Sequence, residues 1–293
     1  FARFKWDFLK EVSIYSFWIF LQVIMDRIYW STGQFVLGIY KGAVAIAIYA
    51  VAVQLLNMYM MFSTAISGVF LPKITAMVTK ENNEKEISDL FIKVGRIQYI
   101  VVSFILVAFI VLGKPFIQLW AGSSYIPSYY ICLFFFIPFT IDLIQNLGIS
   151  ILQARNQLKF RSILLLSVAI VSLLLSLFLV GRYGYYGCAF STGLGLLLGQ
   201  GLILNIYYFY KQHIDVIDFW KQISKMSFAP IVMICIGLFC VECLGIEHIT
   251  YIVFLFLAIT FFVCYGVSFW AFSMNSFERE LVRKPIRALF HCG

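Results

Sequence analysis

Asp26 and Arg27 stand in the middle of the apolar run Ile14 to Trp30, with Glu11 the nearest charge before them and Lys41 the nearest after. At 1.5 Å per residue they lie roughly 20 Å of helix from either end, which is the middle of a membrane. A charge there costs from about 3 kcal/mol on insertion scales to more than about 10 in simulations, so such residues face a bundle interior or a watery cavity. Adjacent helical residues point about 100° apart, so the two side chains do not face one another. A guanidinium gives bidentate hydrogen bonds to phosphate and keeps its charge at cellular pH. Arg27 is therefore a candidate for holding an anionic substrate inside a transport cavity.

Other polar residues fall at helical spacing in the same half of the chain. Gln22, Asp26, Tyr29 and Gly33 share one face, as do Gln54, Asn57, Met61, Thr64 and Gly68. Asp142, Gln145, Asn146 and Gln153 share another, after Pro138, whose ring can kink a helix. The candidate substrate-binding set is Arg27, Asp26, Gln22, Gln54, Asn57, Asp142, Gln145 and Asn146. Membrane Gln and Asn also serve as interhelical glue, worth about 0.6 to 2 kcal/mol a pair, and Gln54, Asn57, Gln145 and Asn146 fit that role equally. Asp142 is either a salt-bridge partner of Arg27 or, like Asp26, a cation-coupling carboxylate whose protonation follows substrate occupancy. Gly187, Ser191, Gly195 and Gly199 repeat every four residues, a ladder for close helix packing.

The elements that carry these residues follow from composition. The 293 residues are 62% hydrophobic and 12% charged, with a mean hydropathy of +0.92, outside the soluble range. The chain reads as an all-α polytopic membrane protein with about eight transmembrane helices, near 13–37, 43–70, 97–113, 129–152, 162–181, 186–209, 227–245 and 249–273. Spans three, five, seven and eight are nearly all apolar, which predicts that they face lipid. Eighteen of the 22 basic residues fall on one side of this arrangement and three on the other, with Arg27 inside, so both ends are expected in the cytoplasm. The expected domains are a cytoplasmic lead-in (1–12), a six-helix lobe (13–209), a cytoplasmic amphipathic loop (210–226), two peripheral helices (227–273) and a basic cytoplasmic tail (274–293) suited to anionic lipid. The cysteines read as small hydrophobes. No metal or cofactor is implied, and no Walker-type loop or Ser-His or Cys-His set within one leaflet suggests an enzyme. Phe1, in place of a methionine, reads as an interior start.

The order of several segments resembles the C-terminal part of the polysaccharide-unit flippases, the Wzx type of the multidrug/oligosaccharidyl-lipid/polysaccharide exporter superfamily (MATE/MOP). The segments are Asp26-Arg27 leading into Leu37-Gly38-Ile39-Tyr40-Lys41-Gly42, then Ala47-Ile48-Tyr49-Ala50-Val51-Ala52, Phe70-Leu71-Pro72-Lys73, and Gly113-Lys114-Pro115-Phe116-Ile117-Gln118-Leu119-Trp120. The turn Gln153-Ala154-Arg155-Asn156-Gln157-Leu158-Lys159 and the stretch Tyr183-Gly184-Tyr185-Tyr186-Gly187-Cys188-Ala189-Phe190-Ser191-Thr192 complete it. The resemblance implies that 13–209 is the second six-helix lobe, that a first lobe of the same protein is its partner, and that the substrate is an undecaprenyl-pyrophosphate-linked oligosaccharide. It implies export across the bacterial cytoplasmic (inner) membrane for O-antigen, capsule or exopolysaccharide, alongside other polysaccharide-assembly membrane proteins and membrane lipid. Two other readings stay open, a multidrug/cation antiporter of the same superfamily and a membrane-embedded polysaccharide polymerase or ligase. No nucleic acid partner is implied.

Overall fold

In a bilayer every backbone N–H and C=O has to be satisfied within the protein, which leaves a chain this apolar the choice of helices or a closed barrel. Every regular element is a helix in the computed structural model, which describes residues 6–78, 84–243, 250–281 and 283. In chain order these are α1 (Trp6–Tyr40), α2 (Ala43–Val78), α3 (Glu84–Trp120), α4 (Pro127–Leu143), α5 (Leu147–Ala154) and α6 (Leu158–Leu196). A π-helical segment (Leu197–Ile203) leads into α7 (Leu204–Gln212), then α8 (Val216–Met226), α9 (Phe228–Cys243) and α10 (Tyr251–Phe272). Among the described residues five stretches are long and apolar enough to cross a membrane, or six if α4 and α5, bent by 48°, count as one span. The chain is an all-α, multi-pass membrane protein.

Two features separate the eight expected spans from these five or six. The 55-residue stretch Leu158–Gln212 passes through Gly184, whose φ of 56° and ψ of −133° only glycine adopts readily. The chain folds back there into two antiparallel limbs. α1 has 35 residues, long enough to span, and is not among the five; it carries Lys10, Asp26 and Arg27.

Lipid tails are as apolar as leucine, so close packing and polar bonds hold membrane helices together. The two limbs of α6 show this. A Cβ on Gly187 would meet the Leu179 backbone at 2.9 Å, one on Gly195 would collide with Ser172 Oγ, and one on Gly199 would sit 2.5 Å from Val168 Cγ2. Between these rungs Ser191 bonds Ser176. The small-residue ladder thus faces the first limb rung by rung. α1 lies along α6, fixed by Tyr29 Oη donating to Thr192 O at 2.6 Å. α2 is tied to α4 by Ser128 Oγ donating to Ile48 O at 2.7 Å and by the Tyr59–Thr140 bond at 2.7 Å.

α3 does not face lipid as its apolar sequence suggests. It is packed by α2 and α4 on one side and by α9 and α10 on the other. Tyr99 bonds Ser227 at 2.6 Å and Ser103 bonds Tyr265 at 2.8 Å, and Gly237 of α9 admits Val111. α8 starts at Asp215, whose carboxylate accepts from the Asp218 N–H at 2.9 Å. Its apolar face of Val216, Phe219, Ile223 and Met226 is buried against the protein, not laid on headgroups, while Ile217, Lys221 and Lys225 point outward. After α10, Glu278 is 3% exposed and grips Arg96 of α3, Nε to Oε1 at 2.6 Å and Nη2 to Oε2 at 3.0 Å. The tail beyond 283 lies outside the described residues, as do residues 1–5 of the lead-in.

Candidate functional site

A cavity of about 450 Å³ opens among α1, α2, α4, α5 and α6 and the π segment. It is within the usual range of about 300–1,000 Å³ for sites that bind small molecules. α1 contributes Gln22, Arg27, Trp30 and Gln34, and α2 contributes Asn57 and Thr64. α4 brings Phe139 and Asp142, Asn146 comes from the bend, α6 brings Arg161 and Leu165, and the π segment brings Gly199 and Gln200.

The packing of α1 explains why Arg27 reaches this space. Tyr29 is pinned to α6 through Thr192, and Trp30 meets Phe135 and Phe139 of α4 edge-on at 6.1 and 5.5 Å. Gly33 leaves room for the Tyr49 hydroxyl of α2. With Tyr29, Trp30 and Gly33 committed to neighbours, Gln22 and Arg27 are left to line the cavity. Arg27 is exposed and makes no ion pair with another described residue, so its guanidinium does not bind Asp142. Asp142 is buried and has a partner of its own. The side chain of Asp26 lies outside the described residues.

The structure brings five of the eight candidates together: Gln22, Arg27, Asn57, Asp142 and Asn146 all line the cavity. Gln54 is exposed and stands outside the lining. Gln145 is buried and its Nε2 donates to Asn205 Oδ1 of α7 at 2.9 Å, an interhelical bond completed by Trp220 Nε1 donating to the same oxygen at 2.9 Å.

The break in the fourth span comes at 144–146, not at Pro138. There the backbone tightens, with Gln145 N–H bonding Asp142 O at 3.1 Å and Asn146 N–H bonding Leu143 O at 3.3 Å. Carbonyls turned aside by the bend are met from outside it. Ser63 Oγ donates to Leu143 O at 2.6 Å. With the Gln98 amide oriented to accept from Ser67, its nitrogen donates to Ile144 O at 3.0 Å. Pro138 has a different use: the α4 carbonyl it cannot bond, that of Phe134, is approached so closely by Gly193 that no Cβ fits.

Two cavity residues escape a reading of the sequence. Arg161 sits among Arg155 and Lys159 and passes for a residue of a surface turn, yet it is 4% exposed. A sign of this is present: Arg161, Val168, Ser172 and Ser176 recur on the face of α6 that the glycine ladder covers. Gln200 is in the π segment, a widened turn of the kind that gathers at functional sites. The cysteines include one Cys-x-x-Cys, Cys240 to Cys243 at the end of α9, whose thiols are free and exposed. Among the described residues no group of three or more His, Cys, Asp or Glu could hold a metal.

Chemically, the site offers the exposed cation of Arg27, which makes no ion pair among the described residues, together with amides and aromatic rings, an arrangement that can take an anion joined to hydroxyl-rich groups. Residues 2–130 match the family described as polysaccharide biosynthesis protein. The matched stretch holds α1, α2 and α3, with Gln22, Arg27 and Asn57, and it agrees with the resemblance to the Wzx-type flippases. No curated protein and no solved structure matches the chain. The match over 2–130 is a likeness to that family, and the apolar helices give a multi-pass membrane protein.

Proposed function

We propose that this chain is the lobe of a flippase that carries undecaprenyl-pyrophosphate-linked oligosaccharide repeat units across the bacterial cytoplasmic membrane. The observation that carries this reading is the cavity, lined by Gln22, Asn57 and Asn146 and by Arg27, which is exposed and makes no ion pair among the described residues. A guanidinium suits the diphosphate, amides suit sugar hydroxyls, and the isoprenoid tail stays in the bilayer. The basic segments lie on the cytoplasmic side in this reading, with both ends of the chain there. A preceding six-helix lobe of the same protein faces the cavity, and transport proceeds by rocking of one lobe against the other. Asp142, on the same wall, is the proposed coupling carboxylate, with Asp26 its alternative.

Two arginines, Arg27 and Arg161, against the single carboxylate of Asp142 line the cavity, and that balance counts against a cationic drug as cargo, which sets the antiporter reading aside. The test is complementation of a strain that lacks its own repeat-unit flippase, using the full-length gene. Wild type and Arg27→Lys are expected to restore surface polysaccharide, Arg27→Lys less well because an ammonium lacks the planar fork. Arg27→Ala is expected to reduce it at least tenfold at equal membrane levels. Full activity of Arg27→Ala would sink the proposal that Arg27 holds the diphosphate.

A further inference from the structure

A second cavity, of about 430 Å³, opens at the end of the bundle where α2 gives way to α3, and it shares no lining residue with the cavity that holds Arg27. Its charged residues are Lys73 of α2 and Glu86, Asp89 and Lys93 of α3, two cations against two carboxylates. All four are exposed, and none makes an ion pair with another described residue, although Asp89 and Lys93 stand four apart on one helix. The apolar part of the lining includes Phe70, Val94 and Ile97. Phe277 closes one side, in a segment fixed by the fork of the next residue, Glu278, on Arg96.

The lining is layered by charge. Tyr59 donating to Val102 O at 3.2 Å and Gln98 meeting Ser67 at 2.6 Å set α2 and α3 in antiparallel register. Extended toward the loop, that register puts Lys73 level with the turn between Asp89 and Lys93, and Phe70 level with Val94. From the end of the bundle inward, the backbone therefore presents the carboxylates first, the lysines next and the apolar side chains last. Glu86 and Lys93 are separated by about 10 Å of helix rise, and Asp89 and Lys93 by about 6 Å. A phospholipid with an ethanolamine headgroup has the same order: ammonium outermost, phosphate beneath it, acyl chains deepest. We propose that this cavity holds one phosphatidylethanolamine molecule of the surrounding bilayer, its phosphate at Lys73 and Lys93 and its ammonium at Glu86 and Asp89. A phosphatidylglycerol headgroup satisfies the lysines but brings no cation to the carboxylates. A choline headgroup brings a cation without an N–H to donate. The site does not depend on the flippase reading.

The test is native mass spectrometry of the purified chain, released from detergent micelles with equal amounts of phosphatidylethanolamine, phosphatidylglycerol and phosphatidylcholine. Phosphatidylethanolamine is expected to be retained about threefold or more over the other two, the scale set by two or more exposed charge pairs. Glu86→Gln/Asp89→Asn should erase its preference over phosphatidylglycerol, and Lys73→Gln/Lys93→Gln should weaken both phospholipids about threefold or more. Lys221→Gln/Lys225→Gln makes the same charge change on the outer face of α8 and should leave retention as in wild type. Phosphatidylglycerol or phosphatidylcholine held as tightly as phosphatidylethanolamine by the wild type would overturn the site. So would a lipid preference unchanged in Glu86→Gln/Asp89→Asn, or an equal loss in Lys221→Gln/Lys225→Gln and Lys73→Gln/Lys93→Gln.

Discussion

Removing the carboxylate of Glu278 should destabilise the protein far more than removing the whole Arg96–Glu278 pair. The pair closes a two-point fork at 2.6 and 3.0 Å, with the side chains of Arg96 and Glu278 9% and 3% exposed. Truncating Glu278 leaves a buried guanidinium whose remaining described bond is a long one, Nη1 to Gln222 Oε1 at 3.4 Å. Breaking a buried pair from one side costs about 3–5 kcal/mol, whereas replacing both partners with apolar groups of similar size is often neutral. Glu278 also accepts from the Asn275 N–H at 3.0 Å and donates its own N–H to Asn275 Oδ1 at 2.9 Å, so Glu278→Ala loses a cap as well. Glu278→Gln separates the two effects, since an amide keeps the cap and drops the charge. Unfolding in mixed micelles should therefore rank Glu278→Ala worst, Glu278→Gln next, and Arg96→Met/Glu278→Leu, which loses the cap but strands no charge, within about 2 kcal/mol of wild type. If Glu278→Ala costs less than about 1 kcal/mol, or the double change costs the sum of the single ones, the argument from a stranded charge is refuted.

Gly184→Ala should cost on the order of 1–3 kcal/mol, because alanine is strained at a φ of 56° and ψ of −133°. Gly181→Ala, one turn earlier with open space for a Cβ, should be neutral or slightly stabilising, and thermal unfolding of both checks the contrast. Asp215→Ala should remove about 0.5–2 kcal/mol from the start of α8, read as faster hydrogen exchange at amides 216–219 with little change elsewhere.

The spans could be read from the sequence because runs of apolar residues long enough to cross a bilayer have few other uses, and Arg27 because a charge inside such a run demands a reason. The placement of α3 could not. An apolar helix surface is equally at home against lipid and against protein, so Val111 gives no sign of the Gly237 gap that receives it. Arg161 was hidden for the opposite reason, since a basic residue beside Arg155 and Lys159 at a span's end is what a membrane surface ordinarily carries. The pairing of α6 with its own continuation was half visible. The small residues announced a close contact, but naming the partner limb required knowing that the chain turns back at Gly184. Pro138 misled about the bend because proline marks a missing hydrogen bond, and the position of a bend depends on which neighbours can take up the freed carbonyls.

The bend between α4 and α5 has a mechanical consequence. Straightening it would withdraw Leu143 O from Ser63 and Ile144 O from Gln98, stranding side chains of α2 and α3 that have no water to turn to. The bent rod is therefore clamped at its elbow by two other helices. Asp142, just before that elbow, and Asn146, within it, are held by the same clamp. In the proposed transport cycle this part of the cavity wall would move as one stiff piece, with the bending left to other turns.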